Sequence, residues 1–557
     1  MALEIFGSLT SLICNLSGSA IDHTLLRITI LLLLLWTAWR LWRFNISPFL
    51  HPNEPKELPY WIPFIGHGFA FFKSTDALLA KASAYFRTRE PFSLTVFGNT
   101  LYIVTDAKNT TEVYKNDETL SFETFVQDLF RSNGYSEAGL RKTYTSLPKD
   151  KPGFPNPHGV SFGAFVQQMH QHQLYPGGHL QILEDNFRNW LNANLSITPL
   201  QKLCSHFATS SAGDSVVVPL DQCCSEISLR AGEFAYFGNT LSRINPDLTS
   251  DFLVFDDLGW QVLYQYPPIL SRKMAAARKR IQSTFRRYLE VPQSERTAGG
   301  AVWLINAYED EAKAIGISDD DLAILLFNIY WVISTNTRKI AFWLLSNALH
   351  APPLLERIRD ETAPAFNSAD LVDLDYLWQH CPQLDSIWHE TLRLCSNAAS
   401  VRRVDHDTVV GGKLLRAGHR IMIPYRLLHF DQAVYGFDSR KFRPDRWLAT
   451  PSTTMTTKQQ SKQGDSKTLA LKCGPSWRPF GGGKTLCTGR HAAKRATLML
   501  VAVLLRRFDV QMLGDPTAAA PEADLGRPVL GISSVKEGQD FEVKLRAYGE
   551  ASSRGSS

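Results

Sequence analysis

The sequence predicts a mainly helical protein with minor β structure, carried on a single N-terminal transmembrane helix. Three observations lead there. Residues 24–42 read TLLRITILLLLLWTAWRLW, an apolar run of 19 residues broken only by Arg27 and Arg40, about the length that spans a hydrocarbon core. Residues 319–350 carry helix start and stop signals around a long apolar stretch, and residues 384–394 form a second, shorter helical pattern. Strand patterns are confined to short runs near turns: 101–105, 413–415, 420–423 and 541–545.

The apolar run sets the compartment. Both arginines lie near its ends, where they can snorkel, and Trp36, Trp39 and Trp42 suit an interfacial belt. Neither Lys nor Arg precedes Arg27, whereas Glu4 and Asp22 do, and Arg40 and Arg43 close the run. The positive-inside rule therefore places residues 1–23 in the lumen, a single-pass anchor at 24–43, and the remainder in the cytosol. A cleaved signal peptide needs a basic n-region before the run and a small-residue site after it, and neither is present. Residues 44–68 hold five prolines and two glycines within 47–68, which predicts a stiff, extended hinge. A globular domain follows over 69–548, interrupted by a polar, Thr/Ser/Gln/Lys-rich insert at 449–467 that predicts a mobile surface loop, with a disordered tail at 549–557.

Composition removes several function classes. Hydrophobic residues make up 44% of 557 and charged residues 20%, enough material for a large core. A net charge of +5 over that length is too dilute for a nucleic-acid surface. The eight cysteines include no CxxC pair, which argues against a zinc cluster or a disulfide framework and leaves room for one thiol to do chemistry.

The predicted helix at 319–350 starts on Ser318 with three aspartates in its first turn, and stops at Pro352–Pro353. Its middle is unusual. Ser334, Thr335, Asn336 and Thr337 interrupt the apolar pattern with four poor helix formers. They either bond back to the preceding turn and bend the helix, or form a polar notch facing a buried ligand. In the second helix, Glu390 and Arg393 share a face at i, i+3, and Arg446 in the segment FRPDRW can complete a Glu–Arg–Arg triad.

Residues 479–490, PFGGGKTLCTGR, lead into a helical segment. Cys487 stands there between Gly483 and Gly489, where free backbone N–H groups and the helix dipole favour a thiolate. Glycine lets the backbone close around the sulfur, and Phe480 can shield it. The spacing Phe480-x-x-Gly483-x-x-x-Cys487-x-Gly489 resembles the signature loop of the haem-thiolate monooxygenases, the cytochrome P450 family. Glu390-x-x-Arg393 and Pro444-Asp445-Arg446-Trp447 resemble two further motifs of that family in the expected order. The resemblance covers residues 24–547. It implies the cytochrome P450 fold and haem b with Cys487 as axial thiolate ligand to the iron. It also implies haem-binding roles for Phe480, Gly481, Gly483 and Gly489, and a structural triad of Glu390, Arg393 and Arg446.

Departures from the family pattern narrow the expectation. Thr485 stands where many members place Arg or His against a haem propionate, so that role passes to Arg402, with Arg403 as the close alternative and Arg478 as a weaker one. The family's Trp-x-x-x-Arg helix has no match, and residues 162–174, with His170 and His172, stand in its place. The acid of the central helix becomes Asn336, while the alcohol survives as Thr337. Trp331, Asn336, Thr337, Phe342 and Trp343 together resemble the branch with bile-acid sterol hydroxylases and prostacyclin synthase. The implied activity is oxidation of a lipophilic small molecule (terpenoid, steroid-like or polyketide-derived) in secondary metabolism. Thr337 and Asn336 would organise proton delivery, and residues 122–140, 397–401 and 530–534 would roof the pocket. Electrons come from NADPH through cytochrome P450 reductase, docked on a basic face of Lys484, Arg490, Lys494 and Arg495. Two other readings stay open: a haem-thiolate isomerase or dehydratase that needs no reductase, and a haem-binding sensor or carrier.

Overall fold

The computed structural model describes residues 20–448, 474–515, 518–526 and 531–548, with the backbone alone for 20–23 and 212. The predicted insert at 449–467, the tail at 549–557 and most of the 1–23 segment lie outside these residues.

The N-terminal helix runs further than its prolines led us to expect. It starts as an α-helix over Ala20–Leu41, passes through a π-helical turn at Trp42–Ile46 and ends in an α-turn at Ser47–Leu50. Residues 24–50 form one apolar helix of 27 residues with none of its most apolar stretch buried in the protein. The first part of the expected extended hinge is therefore helical. Pro48 is accommodated because it sits at the start of the last turn, and the wider π-turn before it relieves the clash and the missing N–H that would break a regular helix.

The connector then folds back along the helix rather than leading away from it. Trp36 stacks on Trp61 with ring centroids 5.5 Å apart, and its Nε1 donates to the Trp61 carbonyl at 2.8 Å. The Arg40 guanidinium lies 4.8 Å above the Trp61 ring and donates to the Tyr60 carbonyl. One turn on, Arg43 pairs with Glu57 at 2.7 Å. A six-stranded mixed sheet follows, in the order Lys56–Glu57, Phe92–Val96, Asn99–Ile103, Arg420–Pro424, Ala399–Val404 and Leu120–Ser121. Its antiparallel register sets Ile421 opposite Arg402 and Arg420 opposite Arg403. Side chains alternate across the pleat, so Arg402 turns inward and is buried while Arg403 is exposed. A four-stranded sheet of Ser210–Ala212, Ser215–Pro219, Phe508–Met512 and Glu542–Ala547 and one short hairpin complete the β structure of the described residues.

Helices form the rest of the body around the predicted central helix. Ser318 caps it, its Oγ accepting from the Asp321 N–H. The segment is two helices, Asp319–Ser334 and Thr337–Leu349, instead of the single one the sequence predicts. Thr335 and Asn336 form a turn between them. The cause is the run of four poor helix formers, of which Thr335 and Asn336 take partners outside the helix and Thr337 bonds back to the preceding turn. The first half packs along Arg272–Glu290; the second packs on Leu220–Phe237, Pro382–Cys395 and Arg490–Arg507.

The Trp36–Arg40–Trp61 contacts should be what holds the connector to the helix. Trp61→Ala removes one stack and one cation–π contact, about 1–2 kcal/mol together. In membrane preparations the variant should remain bound and melt at the parental temperature, yet be cut faster by protease within 51–60. Unchanged cleavage would show that the contacts carry no weight.

Candidate active site

Glu390 and Arg393 lie on the helix Pro382–Cys395, and neither is accessible to solvent. Arg393 binds the carboxylate in bidentate fashion, with Nη2 to Oε1 at 2.7 Å and Nε to Oε2 at 2.9 Å. Arg446, from the turn Pro444–Trp447, donates to Oε1 at 3.3 Å. The three members predicted from sequence thus meet. Two further donors complete the set: the Arg443 N–H at 3.0 Å and Trp447 Nε1 at 2.9 Å. Arg393 also donates to the His429 carbonyl at 2.9 Å and to those of Ser439 and Lys441. Every polar atom of this buried ion pair is therefore occupied, the condition under which such a pair is tolerated in a core.

His429 carries the triad's position to the cysteine loop. Its Nε2 accepts from the Arg478 N–H at 3.0 Å, so this nitrogen is the unprotonated one. Burial, with the Arg393 charge beside it, pushes the ring's pKa down to about 3. From Arg478 the loop turns through Gly481 and Gly483, both at positive φ. At Gly483 a Cβ would come within 2.8 Å of the Tyr114 carbonyl oxygen, so only glycine fits. The Phe480 carbonyl accepts from the Cys487 N–H at 3.0 Å, and its ring packs between Trp388 and Trp477.

Cys487 stands just ahead of the helix Arg490–Arg507 and is the exposed cysteine among the described residues; Cys204, Cys223, Cys224, Cys381 and Cys395 are buried. Although the residue can be reached, the protein around its sulfur desolvates the charged form and pushes the thiol up. The Gly489 N–H, the Arg490 charge and the Arg490 N–H act in the opposite sense. Gly489 itself has an ordinary φ of −80°; its contribution is the N–H it turns toward the sulfur.

Arg402 donates through Nη2 to Thr485 Oγ1 at 3.0 Å, two residues before the cysteine, and through Nη1 to the Leu120 carbonyl at 3.3 Å. Its Nε has no hydrogen-bond partner among the described residues. Arg403 is exposed and lies 3.8 Å from Asp405. Arg402 and Arg478 both lie over the Tyr114 ring, at 5.3 and 5.5 Å, and the Tyr114 hydroxyl meets that of Tyr425 at 2.5 Å. Tyr114 and Tyr425 went unnoticed in the sequence, where no local pattern connects residues 311 positions apart. The helix Phe162–Leu174 lies beside the loop as expected, with Gln167 donating to the Lys484 carbonyl. His170 is held neutral by burial, near 4, and its Nε2 has no partner among the described residues. His172 packs against Trp303 and His179 instead.

On the central helix the notch residues point in three directions. Thr337 Oγ1 donates back to the Ile333 carbonyl at 2.9 Å. Asn336 Oδ1 accepts from the Ile532 N–H at 2.8 Å, which fixes the helix turn to residues 531–533. Thr335 turns away, to Asp256. Four residues before Asn336, Val332 is 62% exposed although its neighbours Ile329, Tyr330, Trp331 and Ser334 are buried, so an open space borders this face.

The expected basic face is largely neutralised. Lys494 pairs with Asp385, Arg495 with Glu184 at 2.7 Å, and Lys484 with Asp117 at 3.1 Å. Arg490 donates to the Tyr175 hydroxyl at 3.0 Å and the Cys487 carbonyl at 2.9 Å. These partners come from distant segments, so the loop's own sequence shows only the positive half.

A helix bundle with a cysteine presented at a helix start, braced by a buried Glu–Arg–Arg triad, defines a recognisable class. The family profile described as Cytochrome P450 matches residues 225–532, more than half of the chain. The chain belongs to the cytochrome P450 family, whose members carry haem on a cysteine thiolate, and is a cytochrome P450 monooxygenase. It is similar to the cytochrome P450 monooxygenase poxD of Penicillium oxalicum, 26% identical over 82% of this chain and 88% of that one. The cytochrome P450 monooxygenase nodJ of Hypoxylon pulicicidum is 24% identical over 92% of both. A 5-beta-cholestane-3-alpha,7-alpha-diol 12-alpha-hydroxylase of Sus scrofa is 25% identical over 58% of this chain and 65% of its own length.

The buried neutral His429 makes stability depend on pH in a definite direction. Its pKa is lower in the folded chain, about 3, than in the unfolded one, about 6.5. Below 6.5 the unfolded chain binds the proton and the folded chain does not, so this contribution falls as pH falls, until about 3. Between pH 7.5 and 5 it amounts to about 2 kcal/mol. Denaturant unfolding should show the parent losing about that much more than His429→Gln over this interval. Equal losses would mean that His429 titrates normally in the fold.

Proposed function

We propose that this monooxygenase inserts oxygen into an unactivated C–H bond of a lipophilic small molecule, with the Cys487 thiolate as the residue that would hold haem b. The observation that carries the reading is the cysteine loop. It presents one exposed thiol at a helix start, with the Gly489 and Arg490 N–H groups directed at its sulfur. The surrounding donors fit the group. Arg402 retains a buried Nε without a partner among the described residues, and Arg478, Tyr114 and Tyr425 cluster beside the same loop. These four would hold the two propionates, and Phe480 would shield the thiolate. When bound, haem would supply the activation of dioxygen, for which two electrons and two protons must be delivered, and Cys487 would supply the thiolate that holds it.

The chain's own residues set where protons and substrate go. The Thr337 hydroxyl donates its hydrogen bond to the Ile333 carbonyl, which leaves the Oγ1 lone pairs to accept from a water and hold it at the helix turn. Asn336 Oδ1 is engaged by Ile532, so its role is to set the position of residues 531–534 beside the turn. The exposed Val332 offers an apolar lining beside the turn. That lining, and relatives named for a sterol diol and for fungal monooxygenases, support a bulky terpenoid, steroid-like or polyketide-derived substrate from secondary metabolism. Electrons would come from NADPH–cytochrome P450 reductase. The apolar helix supports a single-pass anchor in the endoplasmic reticulum membrane with residues 1–23 in the lumen and the 69–548 catalytic domain in the cytosol.

Two outcomes check this reading. Reduced protein under carbon monoxide should show the strongly red-shifted Soret band of a thiolate-bound haem. Cys487→Ala should abolish that band and Cys473→Ala should keep it; a red-shifted band in Cys487→Ala refutes the ligand. With reductase, NADPH and labelled dioxygen, one labelled atom should enter the product. Thr337→Ala should lower product formed per NADPH by about 100-fold, the scale of a lost proton-transfer element. Conversion without NADPH or label would establish an isomerase instead.

A further inference from the structure

Asp256 lies in the last turn of the helix Leu248–Leu258 and its side chain has no solvent exposure. A carboxylate there opposes the helix dipole and loses its hydration, so its partners must compensate for both. All of them come from the turn in the central helix. Oδ1 accepts from the Thr335 hydroxyl. Oδ2 accepts from Arg338, through Nη2 at 2.5 Å and Nε at 3.2 Å, and lies 3.0 Å from Lys339 Nζ. Arg338 is steadied in turn by Ser225 Oγ at 3.1 Å and by Asp257 at 3.9 Å. The charged groups facing the carboxylate are thus Arg338 and Lys339 from the central helix, Asp257 from its own helix and Asp221 from Leu220–Phe237. The two cations outweigh the desolvation and hold the carboxyl at about 2, so it is ionised at neutral pH.

One carboxylate therefore grips residues 335, 338 and 339, which flank Asn336 and Thr337 on both sides. From the other direction Ile532 grips Asn336. A sequence with four poor helix formers in a row has no intrinsic preference for one particular turn geometry, and these two grips select it. We propose that Asp256 is a positioning residue for the monooxygenase reaction: it fixes the turn in the central helix and, through Thr335 and Arg338, the placement of the Thr337 hydroxyl. The proposal rests on the role given to Thr337 above. Asp256 lies 81 positions upstream of Thr337 in sequence, and it supplies an anion beside the turn where residue 336 is an amide.

The test uses full-length, haem-loaded protein and carbon monoxide as the probe. Asp256→Asn removes the charge. Thr335→Val keeps shape and both ion pairs and removes only one hydrogen bond, so it should fold even if Asp256→Asn does not. The first readout is hydrogen–deuterium exchange over residues 333–341. Both variants should exchange there about tenfold faster or more, on the scale of one lost charge-assisted hydrogen bond, while exchange in the helix Pro382–Cys395 stays parental. The second readout is the C–O stretching band of the reduced carbon monoxide complex, which senses polar groups on the distal side. It should shift or split in both variants, and Asp256→Glu should restore much of the parental band. Parental exchange over 333–341 and a parental band in Thr335→Val would overturn the proposal, as would loosening throughout the protein with no local excess. A protein that gives no thiolate-type carbon monoxide spectrum at all defeats the haem reading above; the exchange readout still decides whether Asp256 fixes the turn.

Discussion

The Glu390 carboxylate is the interaction on which the rest of the site depends. It is fully buried, and it gathers donors from its own helix and from the turn at 444–447. An ionised group so placed is costly unless every lone pair is used, and here they are used by groups from two separate segments. Neither segment can shift without leaving charge unpaired at a cost of about 3–5 kcal/mol. Arg393 extends the constraint to His429, and His429 to the Arg478 backbone. The first residue of the cysteine loop is thus placed by a chain of three hydrogen-bonded links from a group that performs no chemistry.

The central helix is governed by the opposite principle. Its strength is in its ends, where Ser318 caps the start and apolar packing holds both halves. Its middle is deliberately weak in propensity, and the geometry there is imposed from outside by Asp256 and by Ile532. Strong scaffold and imposed turn are complementary: a regular helix would have used the backbone groups that the turn releases, and an unbraced turn would sample several geometries.

What could be read from the sequence follows from this division. The Glu390–Arg393 pair is one helical turn apart, the cysteine loop is contiguous, and the Ser318 cap is local; each leaves a short-range pattern. Arg402 could be separated from Arg403 only once the strand register was known, because the pleat decides which of two neighbouring arginines faces inward. Asp256, Tyr114, Tyr425, His429 and the acids that neutralise Lys494 and Arg495 were invisible, since their partners arrive from segments tens to hundreds of residues away. The hinge departs from its sequence expectation for a local reason: its first residues are helical. Counting prolines ignores that Pro48 can sit at the first positions of a new helical turn when a wider turn precedes it.

The contacts between Trp36, Arg40 and Trp61 change what kind of mechanical element residues 24–69 form. A free linker of residues 51–55, between the helix end and the strand Lys56–Glu57, would let the domain wander by roughly 12 Å from the end of its helix. Clasped, the connector behaves as a lever arm, and the body inherits the helix's tilt and rotation. Phe64 and Phe69, exposed just beyond the clasp, are then carried at a set elevation. With the helix in a bilayer, as proposed, encounters with another protein fixed in the same membrane become a search in two translations and one rotation.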